Sequence, residues 1–189
     1  MLFDRRSALY LDGPLLINDD GLHGMVEKCQ DTQLTSGSHI VYIEGFQAGG
    51  GVGMVATYAG PDTNGEKVLM RSGKVMKSSR YFEQCDPSAQ QDPSQFTVCM
   101  FRSSVGLGSI PRISQADSGS GPLSFVGKGR LSVIDVHGIG PFRDAVPRTP
   151  DWNYAWAIYG QLMIGSAGRY TLCITSDDGS GLGFCFGYA

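Results

Sequence analysis

The chain has 189 residues with a formal net charge of −3, and 41% of them are hydrophobic. That is enough apolar content for a substantial core and too much for a long disordered tail. Charged residues make up only 17%, below the usual ~25%, and no basic cluster offers a face for nucleic acid. Glycine is the outlier: its 27 residues are about twice the average share of ~7%.

Taken from its start, the chain opens with Met1–Arg6, which does not read as a signal peptide. Asp4 precedes the two arginines, and Asp12, Asn18, Asp19 and Asp20 break up the next apolar residues. No stretch approaches the ~18 consecutive apolar residues of a membrane span. Leu9–Leu11 and Leu15–Ile17 flank Asp12-Gly13-Pro14, a tight-turn signal. His39–Glu44 and Val52–Tyr58 read as strands joined by a glycine-rich hairpin loop, Gly45–Gly51. Val68–Met70, Phe96–Arg102 and Arg130–Asp135 are weaker strand signals. Tyr154–Ile164, rich in aromatic and branched residues, reads either as two strand pieces split at Gly160 or as one bulged strand. In the last strand Tyr170, Leu172 and Ile174 alternate with Thr171, Cys173 and Thr175, the period of a half-buried strand. Gly or Pro interrupts nearly every helical window. The pattern predicts an all-β, antiparallel sandwich or barrel with little helix and a core that includes Ile43, Trp156, Tyr170, Leu172 and Ile174.

Two polar stretches, 83–95 and 114–122, read as loop or linker. They divide the chain into 1–82, a connector over 83–122, and 123–189.

Few residues point to chemistry. Ser176-Asp177-Asp178-Gly179-Ser180 places two adjacent carboxylates at a strand end, hard oxygen ligands suited to calcium. An ordinary Asp-Gly turn accounts for the same spacing. Asn18-Asp19-Asp20-Gly21 repeats the theme and the ambiguity. The glycine run 45–53 lacks the Gly-Lys-Ser/Thr ending of a phosphate loop. His23, His39 and His137 have no second histidine at ligand spacing; His23 reads as a surface residue in a turn. No serine elbow and no paired-carboxylate site is present, so no catalytic residue is assigned and the chain is not expected to be an enzyme. Trp152, Tyr154, Trp156 and Tyr159 are candidates for stacking on sugar or for the core, and Trp156 fits the core better. The five cysteines have no Cys-x-x-Cys pair, which argues against structural zinc. Two disulfides with one free thiol and five reduced thiols are equally compatible with the count.

The run Gly168-Arg-Tyr-Thr-Leu-Cys-Ile-Thr-Ser-Asp-Asp-Gly-Ser180 resembles the hallmark of the protective-antigen-type (PA-fourteen) domain. So do Leu9-Tyr-Leu-Asp-Gly13, Leu16-Ile-Asn-Asp-Asp-Gly-Leu-His23, Gly37-Ser-His-Ile-Val-Tyr-Ile43, Tyr58-Ala-Gly-Pro61 and Asn153-Tyr-Ala-Trp-Ala-Ile-Tyr-Gly160. The order is reversed, with the family's first half at 123–182 and its second at 9–61. The chain thus resembles the tail of one copy followed by the head of the next, or a permuted single domain. The departure comes after Leu182, where Gly183-Phe-Cys-Phe-Gly-Tyr-Ala189 stands in place of a Tyr-x-Asp-Gly hairpin.

The resemblance implies an extracellular carbohydrate-binding or adhesion module of a larger protein, with glycan and neighbouring copies of the same domain as partners. It implies calcium at Asp177 and Asp178, with Asn18, Asp19 and Asp20 as further ligands if the two halves meet. It also places Cys29 and Cys173 on neighbouring segments and so implies a disulfide between them. A ligand-free structural repeat and an accessory domain of a glycoside-active enzyme are the alternatives.

Overall fold

The computed structural model describes residues 15–73, 94–111, 113 and 121–185. The expected Leu9–Leu11 strand, the Asp12-Gly13-Pro14 turn and most of both linker stretches lie outside them. Among the described residues eleven strands run in chain order: β1 (Ile17–Asp19), β2 (Val26–Leu34), β3 (Gly37–Gln47), β4 (Gly53–Ala59), β5 (Val68–Leu69), β6 (Phe96–Ser103), β7 (Leu123–Leu131), β8 (Asp135–His137), β9 (Tyr154–Ile164), β10 (Gly168–Asp177) and β11 (Ser180–Cys185). One short helix, α1 (Gly140–Ala145), and a 3-10 turn at Pro61–Thr63 are the helical elements among the described residues.

The strands form two antiparallel sheets. The first has the order β1-β11-β3-β9-β6-β7; the second has the order β2-β10-β4-β5, with β8 also pairing with β4. A single apolar core holds residues of both sheets, which makes the fold a two-sheet sandwich. Strands from the two ends of the sequence interleave: β10 lies between β2 and β4, and β11 lies between β1 and β3. Neither end of the chain completes a sheet by itself, so each covers edges the other would leave open.

Alternation decides what faces inward. Tyr170, Leu172, Ile174 and Ser176 of β10 are buried, whereas Thr171 and Thr175 between them are partly exposed. Ile43 and Trp156 join them in the core as expected; Val55 is only partly buried. Leu172 packs in the dry interior of the second sheet, so Leu172→Ala should cost about 3 kcal/mol in chemical denaturation. A loss below about 1 kcal/mol would show that the two sheets do not pack as described.

Several expectations are corrected. The Gly45–Gly51 segment is not a hairpin, because β3 and β4 belong to different sheets. Gly45 is itself a strand residue, and its missing Cβ leaves the place occupied by the Trp156 indole. β9 is continuous through Gly160, and the register shift falls at Met100/Phe101 in β6. β2 is a full strand although its Val-Glu-Lys-Cys-Gln-Asp-Thr-Gln-Leu sequence is mostly polar, because it is an edge strand with solvent on its outer side.

Cys29 and Cys173 stand directly opposite one another in the β2–β10 ladder, with Cα atoms 4.1 Å apart, and are joined by a disulfide. The bond lies on the outer face of the second sheet, at the odd-numbered positions of β10. Cys99 is also disulfide-bonded.

Candidate cation and ligand site

The acidic pairs of the two chain ends meet at one end of the sandwich. β1 and β11 pair so that Asp19 lies opposite Ser180, and Ser180 in turn lies opposite Gly45 of β3. The turn between β10 and β11 is therefore laid against the turn after β1. Asp178 takes a left-handed conformation there (φ 58°), which Asp tolerates better than most side chains. Its backbone N–H donates to the His23 carbonyl at 2.8 Å, and Phe46 N–H donates to the Gly179 carbonyl at 3.1 Å.

The turns that carry the five candidate ligands are brought together, but the residues are not equivalent, and among the described residues no three of their carboxylates converge within 4.8 Å of one another. Asn18 Oδ1 accepts the Asp20 N–H at 3.0 Å, forming a local turn. Asp20 Oδ1 accepts N–H groups from Gly21 at 3.0 Å and Ile110 at 2.7 Å. Both side chains are thus engaged in holding backbone. Asp19 is 1% exposed; its Oδ1 meets Lys28 Nζ at 2.8 Å and His23 Nε2 at 3.4 Å, while its buried Oδ2 has no partner. Asp178 is 5% exposed and accepts the Ala48 N–H on Oδ2 at 2.9 Å. The Asp177 carboxylate lies against the glycine run, at the place where a Cβ on Gly51 would sit.

Burial, and then the neighbouring Asp178 charge, push the Asp177 pKa up, with His23 pulling the other way. For His23 the largest effect is burial, which lowers its pKa. Hydrogen bonds to the Gly24 and Asp19 carbonyls and the Asp19 charge outweigh it and leave the imidazole raised. His23 is partly buried and bonded on both ring nitrogens, more engaged than a free surface histidine in a turn.

Two residues that the sequence did not mark as ligands extend the site inward. Gln47 ends the inner face of β3, is fully buried, and has no partner for either carboxamide atom. Its cross-strand neighbour is Tyr154, whose buried hydroxyl is also unpartnered. The Tyr154 phenol is pushed up chiefly by burial and lies within the electrostatic reach of Arg143, Asp151 and Asp178. Buried polar atoms are nearly always hydrogen-bonded, and each orphan costs about 1–3 kcal/mol. Asp19 Oδ2 and both polar atoms of Gln47 are therefore unmet donors and acceptors at the carboxylate-rich end of the sandwich. The signal for Gln47 was a polar side chain in register with Val41 and Ile43, at the end of an otherwise apolar stripe.

Oxygen-rich donors without thiolate or a histidine pair fit a hard cation such as calcium rather than zinc. Among the described residues the grouping that brings three ligand atoms within 4.8 Å of one another is instead Glu27 with Cys29 and Cys173. Its two sulfurs are bonded to each other, so neither is the thiolate a metal would need.

No protein-family model matches the chain, and neither a curated protein nor a solved structure matches it.

Proposed function

We propose that this chain is a carbohydrate-binding module of the PA-fourteen type, in permuted order, with calcium at the Asp177–Asp178 turn bridging protein and sugar hydroxyls. The observation that carries this reading is the pairing of β1 with β11, which lays the Asp177–Asp178 turn against the turn after β1, from opposite ends of the sequence, beside orphaned buried polar atoms. Calcium takes six to eight oxygens from carboxylates, carbonyls, amides and water. Asp177, Asp178, Asp19 Oδ2 and the Gln47 carboxamide oxygen are the protein's candidates. A bound cation would relieve the repulsion between the two adjacent carboxylates and leave coordination positions for vicinal hydroxyls. The disulfide chemistry of Cys29, Cys173 and Cys99 supports an oxidising, extracellular setting. No helix among the described residues is long and apolar enough to cross a membrane. On this reading the module binds without turning over its ligand, and glycan and further copies of the domain in a longer protein are its partners.

Calorimetry with calcium tests the proposal. Binding is expected at ~10⁻⁴–10⁻³ M, as in extracellular modules. Asp178→Asn should weaken it by roughly tenfold or more, because a charged ligand becomes neutral. Asp20→Asn should change it far less, since Asp20 Oδ1 already accepts two backbone N–H groups whereas Asp178 accepts one. Acidification should weaken binding at a higher pH than an ordinary aspartate would require, because a raised Asp177 pKa lets protons compete earlier. His23 protonation adds positive charge beside the site in the same direction. Absence of calcium heat at millimolar concentrations would leave the Asp-Asp-Gly turn a backbone device and favour the structural-repeat alternative.

A further inference from the structure

The outer face of the second sheet carries a cluster that the acidic turn does not use. On that face β2 presents Glu27, Cys29 and Asp31, and β10 presents Cys173 between Thr171 and Thr175. Asp31 is committed to Arg169 at 2.7 Å and to the Thr171 hydroxyl at 2.6 Å. Glu27 instead brings a carboxylate oxygen within 4.8 Å of both cysteine sulfurs. Lys67 Nζ lies 2.7 Å from Glu27 Oε2.

The two ends of the disulfide differ in access. Cys29 is exposed on the edge strand, whereas Cys173 is buried. A thiolate arriving from solvent therefore meets the Cys29 sulfur, and exposed disulfides belong to the labile class. Cleavage would leave the two side chains opposed, because nine register pairs hold β2 to β10 from Val26 to Leu34. Two thiolates facing each other repel, and a cation between them removes that repulsion. A tetrahedral zinc ion bonds thiolate sulfur at ~2.3 Å and carboxylate oxygen at about 2.0–2.2 Å, which sets its ligand atoms roughly 3.5–3.8 Å apart. The cluster fits that spacing. Two thiolates, one carboxylate and a divalent cation leave a single negative charge, and Lys67 balances it.

We propose that Cys29, Cys173 and Glu27 form a redox-gated site for zinc or a similar thiophilic divalent cation, blocked as the disulfide and opened by a dithiol reductant. The reductant's thiolate attacks the Cys29 sulfur, the S–S bond breaks, and Cys173 leaves as a thiolate. The reductant's second thiol then displaces Cys29 and closes the reductant's own disulfide. The chain gains two electrons. The metal takes the two thiolates, and the dithiol's two protons pass to solvent. Two sulfurs and one oxygen leave the fourth tetrahedral position to water. These soft donors are distinct from the hard oxygens of the acidic turn, so the site does not depend on the glycan reading.

The test treats the intact chain with dithiothreitol in the absence of denaturant, removes the reductant without air, and adds cobalt(II). A single equivalent should produce thiolate-to-cobalt charge-transfer absorption, and zinc should abolish it. The oxidised chain should show none. Glu27→Gln, which leaves both cysteines in place, should weaken cobalt binding roughly tenfold or more, because one of three protein ligands loses its charge. The Cys29→Ser, Cys173→Ser double variant, reduced in the same way, should lose the band, which separates this site from Cys85, Cys99 and Cys185. Emission from the buried Trp156 reports whether the reduced chain stays folded. Resistance of the pair to the dithiol, unfolding on reduction before metal is added, or absence of the band in the reduced chain would each overturn the proposal. So would a full-strength band in the double variant or unchanged affinity in Glu27→Gln. Calcium binding by the oxidised chain tests the other reading separately.

Discussion

Glu44→Gln is expected to abolish most of the chain's loss of stability between mildly acidic and mildly alkaline pH. Glu44 sits on β3, with β11 on one side and β9 on the other, and is only 7% exposed. Burial raises its pKa from 4.5 to about 8, opposed by a hydrogen bond from Tyr42. Tyr42 is in turn stacked near Tyr159, with ring centroids 4.7 Å apart. A group whose folded pKa is raised binds its proton more tightly in the folded state. Its contribution is fully present below the unfolded pKa and is lost as pH rises through the folded value. At ~1.4 kcal/mol per pKa unit, the move from 4.5 to about 8 is worth on the order of 5 kcal/mol. Urea denaturation at pH 5 and pH 8.5 should show the parent chain losing a large part of that amount. The glutamine variant, which keeps the shape and cannot ionise, should show a nearly flat profile over the same range. Equal slopes in both proteins would mean that Glu44 ionises in contact with water.

Removing the Cys29–Cys173 disulfide, as the double serine variant, should cost about 3–5 kcal/mol. The bridge spans 144 residues, and closing so long a loop removes much unfolded-state entropy in the chain-entropy model, roughly 5 kcal/mol at 25 °C. A local effect should accompany the global one. β2 is an edge strand held on its sheet by β10, and its outward side chains are mostly solvated. Without the bridge its amides should exchange with solvent well before those of β10, which is covered on both edges by β2 and β4. A stability change under about 1 kcal/mol, with β2 still protected, would show that the ladder alone holds the strand.

Much of the architecture was legible along the chain because it rests on alternation. Tyr170, Leu172 and Ile174 at every second position dictate one buried face for β10, and the many Gly and Pro residues preclude long helices. The edge strand β2 was not legible: with solvent on its outer side it carries little apolar signal, and pairing with β10 makes it a strand. The glycine run misled for a related reason. Local turn chemistry cannot tell a hairpin from a crossing between sheets, and at Gly45 the glycine serves the Trp156 ring rather than a turn.

The candidate site divides in the same way. Residue type alone determined that Asp177-Asp178-Gly179 and Asn18-Asp19-Asp20-Gly21 are turn signals rich in hard oxygen donors, and that no histidine pair stands at ligand spacing. Only the tertiary structure decided that the two turns meet, since β1 and β11 lie far apart in sequence and are joined by pairing. It also decided which side chains remain available. Asn18, Asp20 and Asp178 each hold backbone N–H groups, whereas Asp19 Oδ2 lies buried and unpartnered at the same end of the sandwich as the unpartnered Gln47 and Tyr154. Donor chemistry is a property of each residue, but whether an oxygen is free depends on what the fold places within hydrogen-bond reach of it.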